Sequence, residues 1–261
     1  MGKFRVKRGM SAPQFDRGTI HFTLWGIPVR IQPSLWITLA LLGGVINVSD
    51  GWQLLQVIIF MLSGLLTLLA HEFGHALTGR YFTGQRPEIT LALMGGETEL
   101  PEPPRTRAHY ILYVAAGPVA GLLLGLFCAL LLGLQIGDIS AGVSYYLYSP
   151  FGLDSSMPTE HLHALIIAVQ NEALPLWLLG IYSSLLFVSM WWSIFNLLPI
   201  LPLDGGQLLR AFTGNIPFTA LIGLGLSAVL AIVSAIAGMW WSMMLLGYFA
   251  YINWLIFRAR D

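Results

Sequence analysis

Residues 53–79 read QLLQVIIFMLSGLLTLLAHEFGHALTG, an apolar run that carries His71, Glu72 and His75 near its end. A helix that crosses a bilayer needs about 20 apolar residues, so this run is expected to be a membrane span. Ionisable side chains at that depth are costly and mark functional sites by default. Residues four apart on a helix project about 40° from one another, so His71 and His75 present two imidazoles on one face. Glu72 projects about 60° from His75 on the same side. Two imidazoles at this spacing suit a single zinc ion, and the carboxylate between them suits proton transfer with water. Arg80 closes the run, which puts His71 about 13 Å from that end of the span. The competing reading is a buried polar cluster that hydrogen-bonds between helices.

The rest of the chain supports a membrane setting. Hydrophobic residues make up 56% of the sequence and charged residues only 10%, against about 25% charged in ordinary globular chains. Six segments are expected to span the bilayer: Ser34–Val48, Gln53–Gly79, Tyr110–Leu134, Leu174–Phe195, Phe218–Ala237 and Met239–Phe257. The fold class is therefore mainly α, a polytopic membrane protein with six transmembrane helices and a short membrane-associated β-hairpin. With the N-terminus in the cytoplasm, all 13 Lys and Arg fall on the inner side of these spans and none on the outer. That distribution follows the positive-inside rule and predicts that both termini are cytoplasmic. A prokaryotic cell membrane is the expected location.

Between the spans, Ile89–Leu100 (ITLALMGGETEL) alternates and contains Gly95-Gly96, which reads as a strand or hairpin. Non-helical backbone at membrane depth requires protein cover or a water-filled cavity. Residues 16–32 read as a short amphipathic strand. In the long outer loop 135–173, Thr159 is expected to cap a helix running from Glu160 toward Asn171. The organisation expected is an N-terminal cytoplasmic segment over 1–32 and a membrane catalytic domain over 33–261, with no room for an appended soluble domain. Cys128 lies alone in an apolar run and reads as a packing residue. Nothing in the charge pattern points to nucleic acid.

A catalytic zinc site takes three protein ligands plus water. His21, His109, His161 and His163 fall in loops or at a span edge, and Asp204 is the one remaining carboxylate in an apolar setting. It ends Asn196-Leu197-Leu198-Pro199-Ile200-Leu201-Pro202-Leu203-Asp204, where two prolines must break the helix. A broken helix bearing an acid is a common way to build a site at membrane depth. The alternative is an aspartate that merely caps the following helix.

HEFGH in one span together with NLLPILPLDGG in a later one resembles the site-2 protease family of intramembrane zinc metalloproteases. The strand-like Gly26–Ser34, the Ala115-Ala116-Gly117-Pro118 of the third span and Gly95-Gly96 extend the resemblance over most of residues 24–212. It implies that His71, His75 and Asp204 ligate one zinc ion and that Glu72 is the catalytic acid/base. It also implies that Asn196 steadies the substrate or the oxyanion, and that Gly95 and Gly96 belong to a strand region that binds substrate. The implied clients are single-span membrane proteins or signal peptides. The chain departs from the family in having Gly121 where many members have Asn, and in lacking PDZ or CBS segments. A membrane zinc transporter and a catalytically inactive scaffold are the rival readings. The intact HExxH weighs against both.

Overall fold

The computed structural model describes residues 18–259. Five helices are long and apolar enough to cross a membrane: α2 (Gly51–Thr83), α3 (Arg107–Ile136), α6 (Leu176–Asn196), α8 (Ile216–Ile236) and α9 (Trp240–Arg258). Their burial is inverted relative to a water-soluble bundle. Along α2, Leu54, Ile58, Leu62 and Leu66 are exposed, whereas Ser63, Thr67, His71, Glu72 and His75 are buried. An apolar outer face with polar groups inside is what a lipid solvent selects, so this is a multi-pass membrane protein.

Local chemistry sets the ends of α2. The Asp50 side chain accepts from the Gln53 N–H at 2.8 Å, while Gln53 Oε1 accepts from the Ser49 N–H at 2.8 Å, a reciprocal N-terminal cap. At the other end Gly84 takes φ +68°, and its N–H closes on the Arg80 carbonyl. That left-handed position is one glycine fills without strain.

The first expected span is not a full helix. Helix α1 covers only Pro33–Leu42, and the chain turns at Gly43-Gly44, with Gly44 at φ +83°. Ten residues reach about 15 Å, half of a hydrocarbon core. A strand supplies the other half. β1 (Ile20–Leu24) and β2 (Ile27–Ile31) form an antiparallel hairpin whose turn, Trp25-Gly26, receives hydrogen bonds from Arg80 and Arg86. From there β2 climbs beside α2, and α1 continues the climb: Leu39 packs on Gly64, and Gly43 sits beside Phe60 and Val57. Residues 27–42 thus run antiparallel to α2 from its Arg80 end to its Val57 end.

β2 also pairs in parallel with β3 (Glu88–Ala92), which turns through Leu93-Met94 into β4 (Gly95–Glu99). The sheet order is β1-β2-β3-β4. The expected hairpin over 89–100 is therefore present, and the single strand expected in 16–32 is a pair of strands. Ile27, Val29, Ile31, Ile89 and Leu91 are fully or almost fully buried against Leu68, Phe73 and Ala76 of α2. The two inner strands carry this core. β1 and β4 are the edges.

Beyond α3 the long connection to α6 holds two short helices, α4 (Ile139–Tyr148) and α5 (Thr159–Gln170). Sequence reading finds only the second. Thr159 lies within the first turn of α5, and the cap position is Pro158, which makes no side-chain bond. Both helices pack on α3 and α6 through Cys128, Leu132, Tyr146, Leu165 and Leu186. After α6 an irregular loop leads to α7 (Asp204–Thr213), and a hairpin of α8 and α9 follows.

Candidate metal centre

The bare residues of α3 let it approach α2 where His75 sits. A Cβ on Gly117 would overlap the His75 imidazole, and one on Gly74 would overlap the Ala116 carbonyl. His75 Nδ1 lies 2.9 Å from the Tyr113 carbonyl. A carbonyl can only accept, so Nδ1 carries the proton and Nε2 is left with a lone pair.

Asp204 reaches the same point from α7. The first turn of α7 is pressed against the preceding loop, because a Cβ on Gly205 would overlap the Leu197 carbonyl and one on Gly206 would meet the Ile200 carbonyl at 2.5 Å. Glycines at both positions bring the aspartate in. His71 Nε2, His75 Nε2 and Asp204 Oδ2 then converge: the two nitrogens are 3.1 Å apart, and they lie 3.1 and 3.3 Å from the oxygen. All three residues are buried.

These separations are short enough for ion pairs, yet Oδ2 has no correctly directed hydrogen-bond donor. The His75 lone pair, His71 Nε2 and a carboxylate oxygen facing one another in a dry site suit a shared cation. Two ligands about 2.05 Å from a tetrahedral zinc stand about 3.3 Å apart, so the spacing fits such an ion. Among the described residues this is the one group of three or more His, Cys, Asp or Glu side chains placed to hold a metal. The remaining histidines do not join it. His109 stacks on Phe82 with centroids 4.2 Å apart, and His161 hydrogen-bonds Ser144.

Glu72 is buried beside this cluster and belongs to the same helix turn. Its Oε2 accepts from the Thr98 hydroxyl at 2.7 Å, and a Cβ on Gly96 would collide with its carboxylate. Gly96 and Thr98 share one face of β4, so strand parity aims both at Glu72 while Glu97 and Glu99 point outward. Gly95, at φ +113°, clears the Trp192 ring, which stands edge-on to His71 with centroids 6.5 Å apart. Thr98 is the neighbour that sequence reading misses. The alternation of β4 around Gly96 was the available signal for Thr98.

Asn196 is buried at the end of α6, and its amide donates to the Trp192 carbonyl at 2.9 Å. It is not hydrogen-bonded to His71, Glu72, His75 or Asp204. A cleft of about 450 Å³, lined by Glu97, Thr98, Tyr110, Tyr113, Gln207 and Arg210, opens beside β4. Its inner wall includes Thr98 and Tyr113, the two residues that contact Glu72 and His75.

Comparison with known proteins adds an independent line. The sequence profile of peptidase family M50 matches residues 57–236. Rip3 of Mycobacterium tuberculosis, described as a candidate zinc metalloprotease, is 28% identical over 212 residues, covering 75% of this chain and 43% of that protein. The protein sll0528 of Synechocystis, described in the same way, is 28% identical over 219 residues, covering 77% of this chain and 47% of its own. The chain thus spans less than half the length of the curated relatives it matches. The solved site-2 protease from Methanocaldococcus jannaschii aligns over 92% of each chain with 17% identity and a TM-score of 0.49.

Proposed function

The chain belongs to peptidase family M50, and from that membership and the geometry of the buried cluster we propose that it is a zinc metalloprotease cutting peptide bonds within the membrane. The observation that carries this reading is the convergence of His71 Nε2, His75 Nε2 and Asp204 Oδ2 beside the Glu72 carboxylate. In this proposal the first three hold one zinc ion. A zinc ion bound there supplies Lewis acidity and brings the pKa of water near neutrality.

The remaining work falls to side chains of the chain itself. Glu72 takes the proton of the attacking water and returns it to the leaving amine. Thr98 keeps the Glu72 carboxylate turned toward β4 through its hydroxyl. Tyr113 fixes the His75 tautomer through its carbonyl. The cleft between β4, α3 and α7 admits water from the surface to Thr98 and Tyr113. Asn196 is assigned as a donor to substrate or oxyanion, which requires its amide to turn away from the Trp192 carbonyl.

The substrate is assigned as a single-span membrane protein or a signal peptide, because a helix must unwind before its carbonyls are accessible. Edge strand β4, with Gly95 and Gly96 at its start beside Trp192 and Glu72, is the element on which such an extended segment adds as a strand. Both termini are assigned to the cytoplasm of a prokaryotic cell. Arg80, Arg86, Arg107 and Arg210 all bond at one end of the bundle, which supports that orientation. The catalytic unit is assigned to residues 33–261, joined by the strands of the 1–32 segment.

Metal stoichiometry on the purified protein in detergent tests the proposal. About one zinc per chain is expected in the wild type, with binding lost or sharply weakened in His71→Ala and Asp204→Ala. Undiminished zinc in Asp204→Ala would remove the link between α2 and α7 and overturn the site.

A further inference from the structure

Helices α8 and α9 hold none of the residues assigned above. They contain one side chain that the zinc proposal leaves unexplained. Asn253, in the middle of α9, is completely buried. Its Nδ2 lies 2.6 Å from the Leu201 carbonyl and 2.8 Å from the Phe249 carbonyl one turn back. Both partners are acceptors, so only the NH2 end of the amide can serve them, and the orientation of the side chain follows. Oδ1 is turned the other way. It has no donor and lies against the bare Cα of Gly223 on α8, where a methyl group would collide with it. An orphaned buried oxygen carries a cost that is offset here by what the NH2 end of the same amide holds. The amide is therefore explained by what it holds.

Leu201 stands three residues before Asp204, in the loop broken by Pro199 and Pro202. Within this loop the turn is closed by the Leu203 N–H on the Ile200 carbonyl at 2.8 Å, and Leu201 itself is buried. The same loop rests on the hairpin: Ile200 and Leu203 pack on Leu246 and Phe249. His71 and His75 are fixed on α2 and owe nothing to α9. Asp204 depends on the loop that α9 grips.

Building on the zinc proposal, we propose that Asn253 is a positioning residue for Asp204. By holding the Leu201 carbonyl, it sets the loop so that the aspartate meets the two histidines, and the α8–α9 hairpin is the strut beneath the metal loop.

The test is a double-mutant cycle in zinc affinity, read by competition with a chromophoric chelator on the full chain in detergent. Asn253→Leu keeps the branched shape of the side chain and removes the donor. Acting through Asp204, it weakens zinc at least fivefold in the otherwise wild-type chain and changes the residual affinity less than twofold in an Asp204→Ala background; where that background binds no zinc, an unshifted cobalt spectrum in Asn253→Leu overturns the proposal instead. The visible spectrum of the cobalt-loaded chain also shifts in Asn253→Leu. A smaller loss, or the same loss in both backgrounds, would mean that Asn253 only stabilises the hairpin, and the proposal would fall. Should Asn253→Leu not fold, Asn253→Ala in the same two backgrounds reads the same quantity. A wild-type chain that takes up no zinc would overturn the underlying function as well, whereas unchanged affinity in Asn253→Leu overturns this inference alone.

Discussion

Adjacent residues His71 and Glu72 are both buried, but their surroundings divide the work between them. His71 faces the lone pairs of His75 and Asp204. Glu72 faces a hydroxyl donor, Thr98, and the bare backbone of Gly96. A carboxylate with a donor on one oxygen and a neighbouring polar cleft is placed for proton transfer and is spared from ligation. Glu72→Gln keeps the shape and still accepts from Thr98, but it cannot take a proton. The expected result is full zinc occupancy with peptide-bond cleavage reduced by about 10²–10⁴-fold. Cleavage of a reporter carrying one transmembrane helix, measured beside zinc content, checks this. Loss of zinc in Glu72→Gln would mean that the carboxylate is a ligand.

At the scale of elements, the site depends on how closely two helices approach. Gly117 of α3 faces the His75 ring with nothing between them. Gly117→Ala adds a methyl into that space, and overpacking of this kind costs about 1–3 kcal/mol. His75 must rotate or α3 must withdraw, and the bond from Nδ1 to the Tyr113 carbonyl is lost with either. The expected outcome is a chain that still inserts and folds with a lowered Tm and binds zinc weakly, as followed by thermal melting and metal analysis. Normal zinc affinity in this variant would show that the α2–α3 approach does not set the site. Five of the six expected spans and the HExxH pair were legible because apolar length and helical periodicity are local properties. Helix α4 was not legible, since its Gly and paired tyrosines resemble loop composition and its register depends on packing against α3. The break between β1 and β2 was also hidden. Its turn, Trp25-Gly26, has positive φ at both positions, φ 49° and φ 78°, and a tryptophan is an unusual residue there. Thr98 and Asn253 were missed because each acts across the fold on a group far away in sequence.

At the scale of the whole molecule, five crossing helices alone would put the segment before α2 and the end of α9 on opposite sides, yet the positive charges before α2 and after α9 call for one side. We propose that a composite crossing, from the Trp25-Gly26 turn through β2 and α1, resolves this. Strand β2 reaches about 16 Å and α1 about 15 Å, and together they match a hydrocarbon core of about 30 Å. A strand is tolerated at that depth because β2 has β1 on one side and β3 on the other, with its apolar face on α2. On this proposal a count of long helices overlooks a crossing that is half strand, and the charge pattern does not. This makes a prediction for single cysteines placed in a Cys128→Ser background. Trp25→Cys and Glu102→Cys, both exposed at the Arg80 end, should react with an impermeant maleimide only when it is supplied from the cytoplasmic side. Asn47→Cys, after α1, and Ser155→Cys, between α4 and α5, should react only from the outside. Labelling of Asn47→Cys from the cytoplasm would show that β2 and α1 fold back without crossing, leaving five crossings and termini on opposite sides.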